Sequence, residues 1–294
     1  VSETHRGLIA IYLTVLLLAT NGLFAKGLPL GSIDITVVRG VIAAITIALF
    51  APFLKLRLAG LQRRDFVTLI GLGLLLSVHW ASFFEAMRVS SIAVGMTMLY
   101  TYPVFTVFFE AATERKRIEL PDLFLAGLMM VGVFIISSPG QDDSGLLLGI
   151  GWGLFSAITF ALRNVLQRKL CRHIQPVAAV GCQSLAGSLL LLPFLNVSAL
   201  QQDMSTMMYL LLLGVVFTAV PHSLLATALK HLSAKTVSFI GCLQPILGAL
   251  IALVVLRETP GLNVIIGGSI IVSVAMLETM KSVLRHRKLA QGRA

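Results

Sequence analysis

Runs of about 20 apolar residues, the length a bilayer core demands of a helix, recur along this whole chain and limit what it can fold into. Ten of them fall at roughly 8–25, 33–54, 66–86, 91–112, 121–138, 145–166, 176–195, 207–228, 236–256 and 262–280. Lipid offers no partner to a free backbone N–H or C=O, so each run must satisfy its own groups, and a helix does this within one segment. The runs do not alternate residue by residue as the strands of a membrane barrel do. The expected fold class is therefore an all-α membrane protein of ten transmembrane helices.

Charge sets the expected orientation. Only 12% of the 294 residues are charged, about half the share of a soluble domain. A net charge of +10 suggests nucleic acid in a soluble protein, but here the cations follow topology. With the N-terminus inside, eighteen of the 23 Lys and Arg residues fall in inner segments. Lys26, Arg88 and Arg257 fall outside, and Arg39 and Arg163 lie within runs. That bias predicts both termini in the cytoplasm and no nucleic-acid partner. No cleavage site follows the first run, so it is expected to stay as a span rather than leave as a signal peptide. Cys171, Cys182 and Cys242 show no CxxC spacing, so neither a disulfide nor a metal site nor a cofactor is expected.

The chain repeats itself. "HWASFFEAMRVSSIAVGMTMLYTYPVF" (79–105) aligns without a gap on "PHSLLATALKHLSAKTVSFIGCLQPIL" (221–247), an offset of 142 residues. Ala86 meets Ala228, Ser91 meets Ser233, Pro103 meets Pro245, and Arg88 meets Lys230. Each block is followed by a charged turn and a Gly-rich run. The expected halves are residues 1–143 and 144–294, five spans each. Five is odd, so the second half should enter the membrane inverted relative to the first, with a site near the midplane between them.

The "SSIAVGMTMLYTYPVF" and "SAKTVSFIGCLQPILGALIALVVLRE" blocks resemble the EamA-type transporters of the drug/metabolite transporter superfamily. The resemblance covers the whole chain. It implies ten helices in two inverted five-helix repeats and a secondary exporter in the bacterial inner (plasma) membrane. Within the family, exporters of amino acids and related metabolites, aromatic ones included, look closest. The expected partners are a small-molecule substrate and the bilayer, and the chain is expected to act as a monomer.

Polar residues at membrane depth are functional candidates. Pro103 and Pro245 each free a carbonyl and kink a helix, either around a cavity or for packing alone. Tyr100 and Tyr102 lie mid-run, where a hydroxyl needs a partner. On an unbroken helix they stand about 200° apart, which favours Tyr100 for a cavity and turns Tyr102 toward another helix. Their counterparts in the second half are Cys242 and Gln244. His79 has three readings: carboxylate ligand, proton relay or interhelical bond. Trp80 and Phe83 are candidate stacking aromatics, and His222 is the counterpart of Trp80. Trp152, Ser156, Thr159 and Arg163 form a stripe along one helical face. Arg163 either attracts an anion or snorkels to the inner surface. Arg39 and Glu85 form a possible gate pair, and Thr20 and Asn21 lie near the outer end of the first run.

Rival classes lack their signatures. HExxH, GxSxG and a Walker motif are absent, and the aspartates fall in loops or near run ends. A polytopic membrane enzyme acting on a lipid or small molecule is the alternative from another class. A proton-coupled exporter is the alternative within the same class, with His79 as the proton carrier.

Overall fold

A computed structural model describes residues 3–19, 28–57, 60–90, 92–136, 145–197, 201–244, 246–247 and 262–291. Pro245, Thr20, Asn21, Lys26, Ser91 and Arg257 lie outside the described residues. The elements are α1 (Glu3–Leu18), α2 (Ser32–Phe50), α3 (Arg63–Val89), α4 (Ile92–Leu99), α5 (Tyr102–Glu114) and α6 (Leu120–Ile136) in the first half. The second half holds α7 (Leu146–Leu170), α8 (Pro176–Leu191), α9 (Met204–Gly214), α10 (Val220–His231), α11 (Ala234–Gly241) and α12 (Leu262–Gln291). Among the described residues there is no strand. Among the described residues, five helical stretches are long and apolar enough to cross a bilayer: Ser32–Phe50, Arg63–Val89, Leu146–Leu170, Pro176–Phe194 and Met204–His231.

Many large apolar side chains face outward, while several polar and charged ones are buried among the apolar core. Phe53, Phe124, Leu147 and Met204 are exposed, whereas Arg39, Arg163, Gln183 and His222 are buried. Lipid as solvent favours this arrangement, because apolar side chains have nothing to lose at its surface and polar ones must find partners within.

The packing is itself repeated. α3 lies along α7, and α10, the counterpart of α3, lies along α1. α6 packs on α12, and α2 on α8. Each of these contacts is thus either matched by its counterpart or made between counterparts.

Small residues allow this closeness. Gly145, Gly149 and Gly153 follow one another at four-residue intervals along α7. A Cβ on Gly145 would stand 1.7 Å from the Val89 carbonyl oxygen, one on Gly149 2.1 Å from Ser90 Oγ, and one on Gly153 2.4 Å from Met98 Cβ. The ridge therefore lets the end of α3 and the α4 backbone sit directly on α7. Where α3 meets α8, a Cβ on Gly187 would lie 2.4 Å from the Gly73 carbonyl oxygen. Such contacts replace the hydrophobic drive that lipid removes.

Among the described residues, the fourth and eighth runs depart from a plain α-helix beside a proline. The fourth run breaks at Tyr100–Thr101 into α4 and α5, with Pro103 in the first turn of α5. Pro103 has no N–H, and the Val104 N–H bonds back to Thr101 O at 3.1 Å. The Tyr100 carbonyl is thereby free for a partner outside the helix. The eighth run is continuous but widens into a π turn at Val215–Ala219, just before Pro221. A π turn is a common way for a helix to absorb such an insertion, and it frequently marks a functional position.

Candidate functional site

The break at 100–101 changes how the tyrosines are aimed. The 200° separation applies only to an intact helix. With the turn between them, Tyr100 and Tyr102 both line one hollow, together with Arg39, His79, Trp80, Phe83, Phe160, His222 and Gln244. Leu18, Met96 and Leu99 complete the lining. The expectation that Tyr102 points away is corrected. Its hydroxyl donates to Ser238 O at 2.8 Å, so it also ties α5 to α11. Gly241 makes this possible, since a Cβ there would stand 1.9 Å from the phenol oxygen.

Trp80 Nε1–H donates to His222 Nε2 at 3.0 Å, and His222 Nδ1 donates to Thr218 O at 3.0 Å. Those two partners fix the tautomer: Nδ1 carries the proton and Nε2 accepts. His79 is fixed similarly. Ser156 Oγ–H donates to His79 O at 3.0 Å, so Oγ is the acceptor for His79 Nδ1–H at 2.8 Å. The Nε2 lone pair of His79 remains. Its ring stacks on Phe160 with centroids 4.3 Å apart. Ser156 thus acts behind His79 rather than on the hollow.

Arg39 is almost fully buried. Its Nε donates to Thr218 Oγ1 at 3.0 Å, and its guanidinium carbon lies 4.7 Å from the Trp80 ring centroid and 5.2 Å from that of Phe84. The proposed Arg39–Glu85 pair is not made. Glu85 bonds Arg88, one turn on along α3, at 2.7 Å, and Ser32 at 2.8 Å. Arg39 projects into the bundle while Glu85 lies at its rim, so each is held by what is nearer.

Arg163 does not snorkel. It is buried and bonds Gln183 Oε1 through Nη2 at 2.7 Å and Asn164 Oδ1 through Nη1 at 3.1 Å. Gln183 on α8 supplies a partner at depth, so the side chain need not reach the surface. Trp152 is also corrected: it is largely exposed, beside Glu85 and Arg88 in a groove of about 520 Å³, away from the hollow. The stripe is buried only from Ser156 on to Arg163, because the early turns of α7 pack through their glycine face and leave Trp152 at the rim. Cys242 Sγ faces Tyr100 O at 3.8 Å and fills the position freed by the break, without lining the hollow.

Thr218 was not legible in the sequence as a site residue. Its hydroxyl bonds Leu213 O at 2.6 Å and accepts from Arg39, while its carbonyl holds His222. The one signal was Pro221, three residues on, which disturbs the helix at that depth.

The hollow holds only about 30 Å³, room for about two waters. Ligand sites usually offer about 300–1,000 Å³, so the hollow is smaller than a usual ligand site. A larger space, about 870 Å³, opens at the end carrying the basic turns, lined by Asp122, Arg168, Lys235, Thr236, Glu278 and others. Ion pairs join the halves there. Arg168 bonds Glu114 at 2.5 Å and Leu232 O at 2.8 Å. Glu110 accepts the Ala234 and Lys235 N–H groups, each at 3.0 Å, at the start of α11. Lys235 pairs with Asp122.

Trp80 and His222 are 142 residues apart, as are Tyr100 and Cys242. That is the offset at which the two blocks align. Residues at equivalent positions of the two aligned blocks thus touch beside the hollow.

A two-unit helical bundle with polar groups where its units meet defines a class of membrane proteins. The chain matches the EamA-like transporter family over residues 5–138 and again over 147–279, and it belongs to that family. It is 24% identical to an uncharacterized transporter of Archaeoglobus fulgidus, over 91% of this chain and 94% of that one. It is 22% identical to the uncharacterized inner membrane transporter YicL of Salmonella typhimurium, over 97% and 99%. A chain of known crystal structure shares the fold with a TM-score of 0.75 at 18% identity, over 98% of both chains. The protein is a membrane transporter with a small-molecule substrate.

Proposed function

We propose that this chain is a secondary carrier that exports small metabolites, chiefly amino acids with aromatic or apolar side chains, by alternating access around the hollow. The reading takes the ten runs as ten spans in two inverted halves, with both termini in the cytoplasm. The observation that carries it is the pair of counterpart contacts, Trp80–His222 and Tyr100–Cys242. Two inverted halves can pack in two nearly equivalent ways, one open to each side, and the point about which they exchange is where counterparts meet. The aromatic lining suits an apolar or ring-bearing body. The inner ion pairs are suited to close one side and release it. The outward direction rests on the likeness to exporters.

Purified protein in liposomes tests this with a panel of radiolabelled amino acids. A carrier gives saturable flux that unlabelled substrate on the far side accelerates. Conversion of the ligand to a product would replace the reading with an enzyme, and non-saturating conductance would replace it with a channel.

A further inference from the structure

We propose that Arg39 anchors an anionic group, a carboxylate, of the solute bound in the hollow, so that the site selects small organic acids with an apolar or aromatic body. Amino acids would be held through their carboxylate end. This rests on the reading of the hollow as the transport site.

The two buried arginines of the bundle make the comparison. Arg163 has all three guanidinium nitrogens bonded to the amide oxygens of Gln183 and Asn164. Arg39 has one such bond, Nε to Thr218, and its buried Nη2 has no partner. No carboxylate lines the hollow among the described residues, and Glu85 is taken up by Arg88 and Ser32. A buried guanidinium without a counter-ion is costly, and leaving one of its N–H groups unmade adds to that cost. The structure nevertheless holds it rigidly: Thr218 fixes one edge, Trp80 and Phe84 support its face, and His222 fixes Trp80 in turn. A held cation with a vacant donor at a cavity wall is suited to a planar oxyanion, which it can meet through parallel N–H groups.

The same geometry disfavours amines. Two ring faces that could attract an ammonium, those of Trp80 and Phe84, already lie under Arg39, and a second cation beside the guanidinium would be repelled.

The test uses the purified full chain and three probes of one skeleton: L-phenylalanine, 3-phenylpropionate and phenethylamine. Binding is read by ligand-dependent thermal stabilisation and by quenching of tryptophan fluorescence, at low and at raised sodium chloride. The two carboxylates should bind, and phenethylamine should bind at least about tenfold more weakly. Arg39→Gln should lose the carboxylates by a similar factor, and Arg39→Lys should restore part of the binding. Equal or tighter binding of the amine, no binding of either carboxylate, or unchanged carboxylate binding by Arg39→Gln would overturn the assignment. So would chloride binding that depends on Arg39 with no competition from the carboxylates. Should Arg39→Gln fail to fold, the wild-type probe series decides alone. Carboxylate binding through Arg39 without flux in liposomes would sink the carrier reading and leave this site standing. Saturable flux of amines alone would do the reverse.

Discussion

The indole N–H of Trp80 donates to Nε2 of His222 across 3.0 Å, and these two residues occupy the same position in the two halves of the chain. The bond joins α3 to α10. Replacing Trp80 with Phe or His222 with Phe removes the same interaction from opposite sides. The two losses should therefore not add: a double-mutant cycle read by thermal melts should return a coupling of about 1 kcal/mol. His222→Gln keeps an acceptor and should keep part of it. Additive effects would show that the bond contributes nothing to holding the halves together.

The approach of Tyr102 to Gly241 yields a second expectation. Gly241→Ala places a methyl 1.9 Å from the phenol oxygen, and the ring is confined by Phe160, 5.1 Å away between centroids. The variant should lose about 1–3 kcal/mol. Tyr102→Phe in the same background removes the crowded oxygen and should recover part of the loss. Chemical denaturation of the three variants in one detergent measures this.

The glycine ridge of α7 can be tested against an internal control. Gly145→Ala drives a methyl into the Val89 carbonyl, a backbone atom that cannot swing aside. It should lower the melting temperature sharply or prevent recovery of folded protein. Gly151→Ala has nothing within 4 Å of the added carbon and should be neutral or gain up to about 1 kcal/mol from helix propensity. Size-exclusion profiles and melts of the pair distinguish them.

Glu114 sets a pH limit at the end carrying the basic turns. Burial alone would raise its pKa, but hydrogen bonds from Lys116 and Arg168 outweigh this and hold it below the ordinary 4.5. A carboxylate depressed in the folded state adds stability above the unfolded pKa, and that share is lost as pH falls through the folded value. The wild-type melting temperature should thus fall as pH drops below about 4.5. Glu114→Gln should start lower at neutral pH and show a shallower acid limb. Superimposable pH profiles would remove Glu114 from the set of pairs that join the halves.

How much of this was legible in the sequence follows from what each signal measures. Among the described residues, hydropathy located helix in the part of each run that can be compared, and the offset of 142 located the pairs that touch. Depth could be read too, which is why His79, Trp80, Tyr100, His222 and Gln244 were singled out before the structure placed them around one hollow. Rotation about a helix axis was harder. It depends on an unbroken 100° step, and the break at 100–101 invalidated that step for Tyr102. Partner choice was hardest. Arg39 and Arg163 look alike in sequence, yet Gln183 satisfies one and only Thr218 reaches the other. Trp152 failed because helical spacing says nothing of which face a helix packs through at each turn.

Both ring nitrogens of His222 are already engaged, one giving its hydrogen to Thr218 and one receiving the indole's. An extra proton has no seat on that ring until the indole withdraws. Acquiring charge at His222 and keeping the indole's hydrogen bond are mutually exclusive, so a proton arriving on this imidazole releases one of the clasps between the halves.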